Sequence, residues 1–583
     1  MHYISVWKID WGRIMELAGF DVRLIGLEAV VDECLTKFEE QNFVERFWRK
    51  DTTLWKTEED QQKIISNSMG WLDSPQKIKG AAKELSGFAA ELGKAGFRHV
   101  LHMGMGGSSL APLVLFEALG RNGAGLPVTV LDTTDPATVI RLERNLPIPN
   151  TFFIEASKSG STIESRSFGE YFLQRVKSTK GIGAGENFAV ITDPGSMLER
   201  LAEERSYRKI FLNYSDIGGR YSALSYFGLV PAALMGINLE KLLSRASAVV
   251  KECRSGIPLK NNPGVVLGVI MGQMALSGRD KLTLLLPGPI ASFGMWLEQL
   301  IAESTGKEGK GIVPVAREPI GSADVYGQDR LFVEFRIENE PDAALEDKAD
   351  KLRKADHPVV TVYMRDRLDL GRQFFLWEMA TATSGAVLLI DPFDQPNVQE
   401  AKTLTGKVLE EVSREGRVPE AHMELEEGPL RMYLAGGANS VRQALSLFFN
   451  SAAGTDYLGL LAYLTENEAT KRGLQKIRAT LRDHLHIATT VGYGPRYLHS
   501  TGQLHKGGPN SGLFLLLTTD NAEDVGIPGQ PYTFGMLMRA QALGDFEALR
   551  KHRRRVLRVH ITGAVDAGLA VLDDVIGAVL SKK

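Results

Sequence analysis

From Phe97 onward the chain alternates short apolar runs of β character with polar Gly/Ser loops and amphipathic stretches at helical spacing. The runs Arg98–Met103, Val128–Asp132, Phe152–Ala156, Phe188–Thr192 and Ile210–Asn213 each read as a strand followed by a helix. That pattern predicts a mostly parallel sheet covered on both faces. A second block begins near Leu239, with strands expected at Leu282–Leu286, Ile312–Val315, Leu331–Arg336, Val359–Tyr363 and Val387–Ile390. A third α/β stretch has strands expected at Ile487–Thr490 and Leu513–Leu517. Residues 1–75 read as helical, with a charged amphipathic stretch from Leu24 to Lys56. The expected fold is therefore α/β. Two doubly wound α/β/α sandwich domains, at 76–238 and 239–405, follow a helical N-terminal segment (1–75) and precede a C-terminal α/β segment (406–583). Ligands of such sheets bind beyond the C-terminal strand ends, which directs attention to those loops.

Composition narrows the function classes. The chain has 583 residues, 44% hydrophobic and 24% charged, as in ordinary soluble domains. Its 68 basic and 71 acidic residues give a net charge of −3, which offers no global field for nucleic acid or an anionic membrane. Two cysteines, Cys34 and Cys253, are too few for a disulfide framework and fit a reducing compartment. Asp10, Arg13 and Glu16 interrupt what an export signal would need as an apolar core. The apolar stretch Val265–Leu276 is too short to span a bilayer. A cytoplasmic protein is expected.

Four segments carry candidate chemistry. Gly104-Met-Gly-Gly-Ser-Ser109 follows the first strand and opens a helix, where backbone N–H groups and the helix dipole favour an anion. It approaches the dinucleotide fingerprint, with Asp132 near the ribose-binding position, but Ser109 stands where the third glycine belongs. Ser157-Lys-Ser-Gly-Ser-Thr162 places four hydroxyls and a lysine at a new helix N-terminus, with Ser161 and Glu164 spaced as a capping box. It suits a phosphate monoester, and the Walker lysine spacing is missing. Gly218-Gly-Arg-Tyr-Ser222 would hold Arg220 at the sheet edge beside both loops. Finally, Met295–Lys307 reads as a helix ending at Gly306, a natural C′ residue, with Glu303 in its last turn and Gln299 one turn earlier on the same face. A carboxylate facing the negative end of a helix dipole costs roughly 0.3–1 kcal/mol, so Glu303 is either a frayed surface residue or a general base.

Together these segments resemble the phosphoglucose isomerase family, built from two doubly wound sugar-isomerase domains. The matching residues are Gly106-Gly-Ser108, Ser157-Lys-Ser159 with Thr162, Gly218–Ser222, and Gln299 with Glu303-Ser-Thr-Gly-Lys307. Phe393-Asp-Gln395, running on to Lys402, completes the set. The wider pattern looks most like the isomerase part of transaldolase–phosphoglucose isomerase fusions, and no transaldolase portion is visible. The resemblance implies interconversion of glucose 6-phosphate and fructose 6-phosphate through a cis-enediolate, without cofactor or metal. It implies that Ser157, Lys158, Ser159 and Thr162 cradle the phosphate, and that Gly107, Ser108, Gly219, Gln299 and Gln395 contact the substrate. Glu303 would move the proton between C2 and C1, Arg220 would stabilise the enediolate, and Lys402 would assist ring opening. Family members carry a ring-opening histidine before the Phe-Asp-Gln segment, whereas only His357 lies there in this chain. The expected substitute is His505, with His499 second, in His499-Ser-Thr-Gly-Gln-Leu-His505. In the family this histidine crosses from a partner subunit, which implies a homodimer with shared active sites.

Other readings are weaker. The pairs His484/His486 and His499/His505 lack partners at metal-ligand spacing. Arg550-Lys-His-Arg-Arg-Arg555 is one basic run on a near-neutral chain and does not indicate nucleic-acid binding. The serious alternative is a non-catalytic phosphosugar sensor built from the same domains. Such a sensor would need the hydroxyl loop but not Glu303, Arg220 and Lys402 together.

Overall fold

The computed structural model describes residues 15–419, 422–433 and 436–581. Asp10 and Arg13, weighed above against an export signal, lie outside the described residues. The described chain opens with a hairpin of β1 (Met15–Leu17) and β2 (Phe20–Arg23), turned by Ala18 and Gly19, both at positive φ. Helices such as Glu28–Glu40 follow, as expected. The N-terminal segment is thus more than helical, because β2 pairs antiparallel with a strand of the second sheet.

The first sheet holds β3 (His99–Met103), β4 (Val128–Leu131), β5 (Thr151–Ala156), β6 (Phe188–Thr192) and β7 (Lys209–Leu212). Its order is β4-β3-β5-β6-β7, all parallel, and every strand lies where the apolar runs place it. Such strands are covered on both faces, and all six residues of β5 are buried.

The second sheet adds β8 (Lys281–Leu285), β9 (Val313–Val315), β10 (Arg330–Ile337) and β11 (Val359–Met364), in the order β1-β2-β11-β10-β8-β9. Val387–Ile390 is not a strand. The run closes the buried helix Leu370–Leu388, and Leu389, in the left-handed region, caps it. An apolar run this short looks the same at a buried helix end and in a buried strand.

The C-terminal segment is a complete sheet of its own. It comprises β12 (Met423–Glu427), β13 (Leu430–Tyr433), β14 (Tyr457–Tyr463), β15 (Ala488–Tyr493), β16 (Gly512–Thr519) and β17 (Arg555–Ile561), ordered β12-β13-β17-β16-β14-β15. The last four of these run parallel. The helix Val398–Glu415 runs through residue 405 without a break and packs on the helix Phe534–Lys551.

The third sheet turns its C-terminal strand ends toward the first. Arg496, just after β15, donates to both carboxylate oxygens of Asp132 at 2.7 and 2.8 Å. Asp132 is therefore held in an ion pair between sheets and is not placed for a ribose. Most of the basic run at 550–555 is likewise engaged. Arg550 pairs with Glu547, Lys551 and His552 with Glu400, and Arg555 with Asp456, while Arg554 donates to the carbonyls of Lys506 and Gly508.

Candidate active site

One cavity of about 440 Å³ gathers the loops beyond β3, β5 and β7, the end of the helix Phe293–Thr305, and the start of the helix Val398–Glu415. Gly107, Ser108, Lys158, Ser159, Thr162, Gly219, Arg220, Gln299, Glu303, Gln395 and Lys402 all line it, together with His499. The expected hydroxyl loop and the expected acid thus face a common space.

The floor depends on close backbone contact. A Cβ at Gly107 would stand 2.1 Å from the Gly219 carbonyl oxygen, so glycine lets the loops after β3 and β7 touch. Gly306 does the same for the third sheet. Its φ is −79°, so it is not the left-handed C′ residue the sequence pattern predicts. A Cβ there would lie 2.3 Å from the Cα of Leu504. Gln503 fixes this junction by donating to the Gly306 carbonyl at 2.9 Å and to Asn397 Oδ1 at 2.8 Å. Gly306→Ala is expected to cost roughly 1–3 kcal/mol through forced separation of backbones. The check is a lowered Tm accompanied by loss of activity at temperatures where the wild type is stable.

Arg220 is 3% exposed and its guanidinium is almost fully engaged. Nε donates to Ser304 Oγ at 2.7 Å, one NH1 proton goes to Gln395 Oε1 at 2.8 Å, and NH2 serves the carbonyls of Pro392 at 2.7 Å and Asp394 at 2.9 Å. The nearest carboxylate, Glu303 Oε1, lies 3.7 Å from NH1. Arg220 therefore has a fixed direction, which suits it to a charge that develops in a defined place. Behind it, Tyr221 stacks on Trp71 with ring centroids 5.3 Å apart, and Trp55 meets Phe393 edge-on at the same distance. Trp55 and Trp71, from a segment in which the sequence shows no chemistry, thus buttress the site.

Glu303 is buried in the last helical turn, not frayed. Its Oε2 accepts from Gln299 Nε2 at 3.1 Å, and the same nitrogen donates to the His499 carbonyl at 2.8 Å. Gln299 therefore ties the acid on one domain to the histidine segment of another. Nearby, Lys307 donates at 2.6 Å to both the carbonyl and the carboxylate of Asp394. Burial pushes the Lys307 ammonium down to about 8 despite that pairing.

The hydroxyl loop differs from expectation in three details. Ser157 is buried and does not line the cavity; its hydroxyl accepts from the Gly160 N–H and donates to Thr162, so it shapes the turn. Lys158 is already paired with Asp193 and donates to the Ser215 carbonyl at 2.8 Å. The capping box does not form: the helix Ile163–Lys180 has Thr162 at its N-cap with no side-chain bond. Glu164 instead turns inward and its Oε1 accepts from His499 Nε2 at 2.8 Å and Gln541 Nε2 at 2.7 Å. Burial works against its charge, but the neighbouring His499 outweighs this and holds Glu164 below the ordinary carboxylate range.

His505 is a correction. It is 2% exposed, sits against the rings of Phe514, Tyr497 and Tyr457, and borders a separate cavity of about 30 Å³. Burial, with Lys506 and Arg554 adding to it, pushes its imidazole well below the usual range, so it is a neutral core residue. His499, the second choice, is the histidine that lines the cavity of about 440 Å³. It reaches there from the third sheet of the same chain, through the turn Arg496–His499. The histidine lining this cavity thus belongs to the same chain as Glu303 and Arg220. Glu164, Asp193 and Gln541 were missed in the sequence: the first was absorbed by an apparent cap, and the other two carry no motif.

Among the described residues, no three His, Cys, Asp or Glu side chains gather as metal ligands, and no helix is long and apolar enough to cross a membrane.

Comparison with known proteins places this geometry. The profile of the family described as phosphoglucose isomerase matches residues 60–316, which include the hydroxyl loops, Arg220 and Glu303 and end before Lys402 and His499. Glucose-6-phosphate isomerase of Prochlorococcus marinus (strain MIT 9313) is 27% identical over 431 residues, covering 68% of this chain and 77% of that protein. The enzyme of the same name from Gloeothece citriformis (strain PCC 7424) is 26% identical over 473 residues, covering 70% and 88%. A solved glucose-6-phosphate isomerase from Chlamydia trachomatis D/UW-3/Cx superposes with a TM-score of 0.54 at 20% identity, over 68% of this chain and 89% of that one. A hypothetical protein from Thermus thermophilus gives 0.56 at 23%, over 66% and 99%. These two establish the shared fold. Over residues 60–316, then, the chain is similar to the phosphoglucose isomerase family, whose fold it shares.

Proposed function

We propose that the protein interconverts glucose 6-phosphate and fructose 6-phosphate by ring opening and proton transfer through a cis-enediolate. The observation that carries this reading is the single cavity in which Glu303, Arg220, Lys402 and His499 face the hydroxyl loop. The phosphate is met by Ser159, Thr162 and the N-terminus of the helix Ile163–Lys180. Lys158, already paired with Asp193, adds a second-rank charge. Gly107, Ser108 and Gly219 approach the sugar with backbone, and Gln299 and Gln395 offer hydrogen bonds to its hydroxyls.

His499 has its Nε2 bound to Glu164, which leaves Nδ1 for the sugar. With Lys402 it opens the ring. Glu303 then takes the C2 proton and returns it at C1, while Arg220 stabilises the negative charge growing on the enediolate oxygens. One chain would supply the whole site. The protein is read as cytoplasmic and acting on a small hexose phosphate, without a nucleic-acid or membrane partner. Its near-neutral charge and its two buried free cysteines support that reading.

The test is to supply purified protein with fructose 6-phosphate and follow glucose 6-phosphate through a coupled dehydrogenase. Turnover is expected. Phosphosugar binding with no turnover would leave the sensor in its place.

A further inference from the structure

We propose that Gln541, on the helix Phe534–Lys551, is a positioning residue that holds the Glu164 carboxylate against His499. This rests on the ring-opening reading of His499 and extends it to a residue outside every motif. Gln541 is 2% exposed and both ends of its amide are engaged. Nε2 donates to Glu164 Oε1 at 2.7 Å, and Oε1 accepts from the Thr134 hydroxyl at 2.8 Å. Thr134 is fully buried in the turn after β4. The amide thus has one orientation: reversing it would turn its carbonyl oxygen toward the Glu164 carboxylate, whereas the Thr134 hydroxyl can pair with either end.

The chain of contacts alternates between domains. Thr134 and Glu164, the latter in the first turn of the helix Ile163–Lys180, belong to the first domain, and Gln541 and His499 to the third. Asp135, beside Thr134, accepts from Thr465 at 2.9 Å, and Asp132 holds Arg496 three residues before His499. Glu164 Oε1, from the first domain, thus accepts two hydrogen bonds from the third. Its carboxylate also feels Lys402, and it acts on the phenol of Tyr463 from the facing strand β14. Without the second donor, the carboxylate would be free to rotate toward Lys402, and His499 would lose its fixed aim. The cavity of about 280 Å³ behind His499, lined by Glu164, Lys402, Leu498 and Gln541, gives it room to do so.

The test uses the full chain. Gln541→Met keeps the volume and removes both polar ends; it should lower kcat roughly tenfold, the scale of one charge-assisted hydrogen bond, with KM nearly unchanged. It should also move the 15N signals of the His499 imidazole. Gln541→Glu can donate to Glu164 only while protonated. Its kcat should therefore be greatest at acid pH and fall as the new carboxyl ionises and repels Glu164. A purely structural role would give neither the acid-shifted profile nor a changed imidazole signal. Unaltered His499 signals together with a wild-type pH profile in Gln541→Glu would overturn the assignment. If Gln541→Met does not fold, Gln541→Glu carries the test alone. Full activity of His499→Ala would sink the ring-opening reading instead, and the imidazole signals would still judge Gln541.

Discussion

Glu303→Gln is expected to lower kcat by roughly 10²–10⁴-fold while leaving phosphosugar binding nearly intact. The substitution keeps the shape and removes the negative charge and with it the ability to accept a proton. Gln299 can still donate to the new amide oxygen, so the helix end and the His499 carbonyl stay joined. The partners of the Glu303 carboxylate are Gln299 and Arg220, and the hydroxyl loop forms no hydrogen bond with it among the described residues. The amide beside Arg220 does carry one consequence, because the carboxylate 3.7 Å from NH1 no longer offsets its charge. Any change in binding should therefore favour the anion slightly. Two measurements separate the cases: coupled turnover, and exchange of the C2 proton with deuterated solvent read by NMR. Exchange at the wild-type rate would place the base elsewhere.

The second large effect is the contrast between two histidines six positions apart. His499→Ala should cost roughly 10²–10³-fold in kcat with cyclic substrate, as expected for loss of a positioned acid–base group. His505→Leu should leave kcat near the wild-type value and change Tm, because His505 fills a space between Phe514, Tyr497 and Tyr457. Leucine there trades an imidazole with an unpartnered buried Nδ1 for an apolar group of similar size, which is a packing question. If the activity losses were reversed between the two variants, the ring-opening role would return to His505 and the cavity assignment would be wrong.

Much of the fold could be read from the chain because parallel strands buried on both faces are continuous apolar runs, and five such runs mark the first sheet. The reading failed where that signal is diluted. β17 carries Arg555, Arg558 and His560 and follows a basic run, and β12 is mostly glutamate, so neither looks like a sheet strand. β14, Tyr457–Tyr463, is uniformly buried with a glycine inside, and no alternation distinguishes it from a core helix. At the site, loops whose chemistry is local were legible: hydroxyls at a helix start, glycines where backbones meet, a carboxylate at a helix end.

Sequence alone determined which residues can bind a phosphate and move a proton, since those capacities reside in side-chain type and in a few contiguous positions. Tertiary structure decided which of two neighbouring histidines faces the same cavity as those residues. A short turn aims His499 at the cavity, and the next helix, Gly502–Gly507, rotates His505 into an aromatic core. It also decided that Glu164 meets His499 and Gln541 instead of capping its own helix. Contacts across 335 and 377 residues have no signature in local spacing, because only the docking of one sheet's strand ends on another's brings them within hydrogen-bond reach.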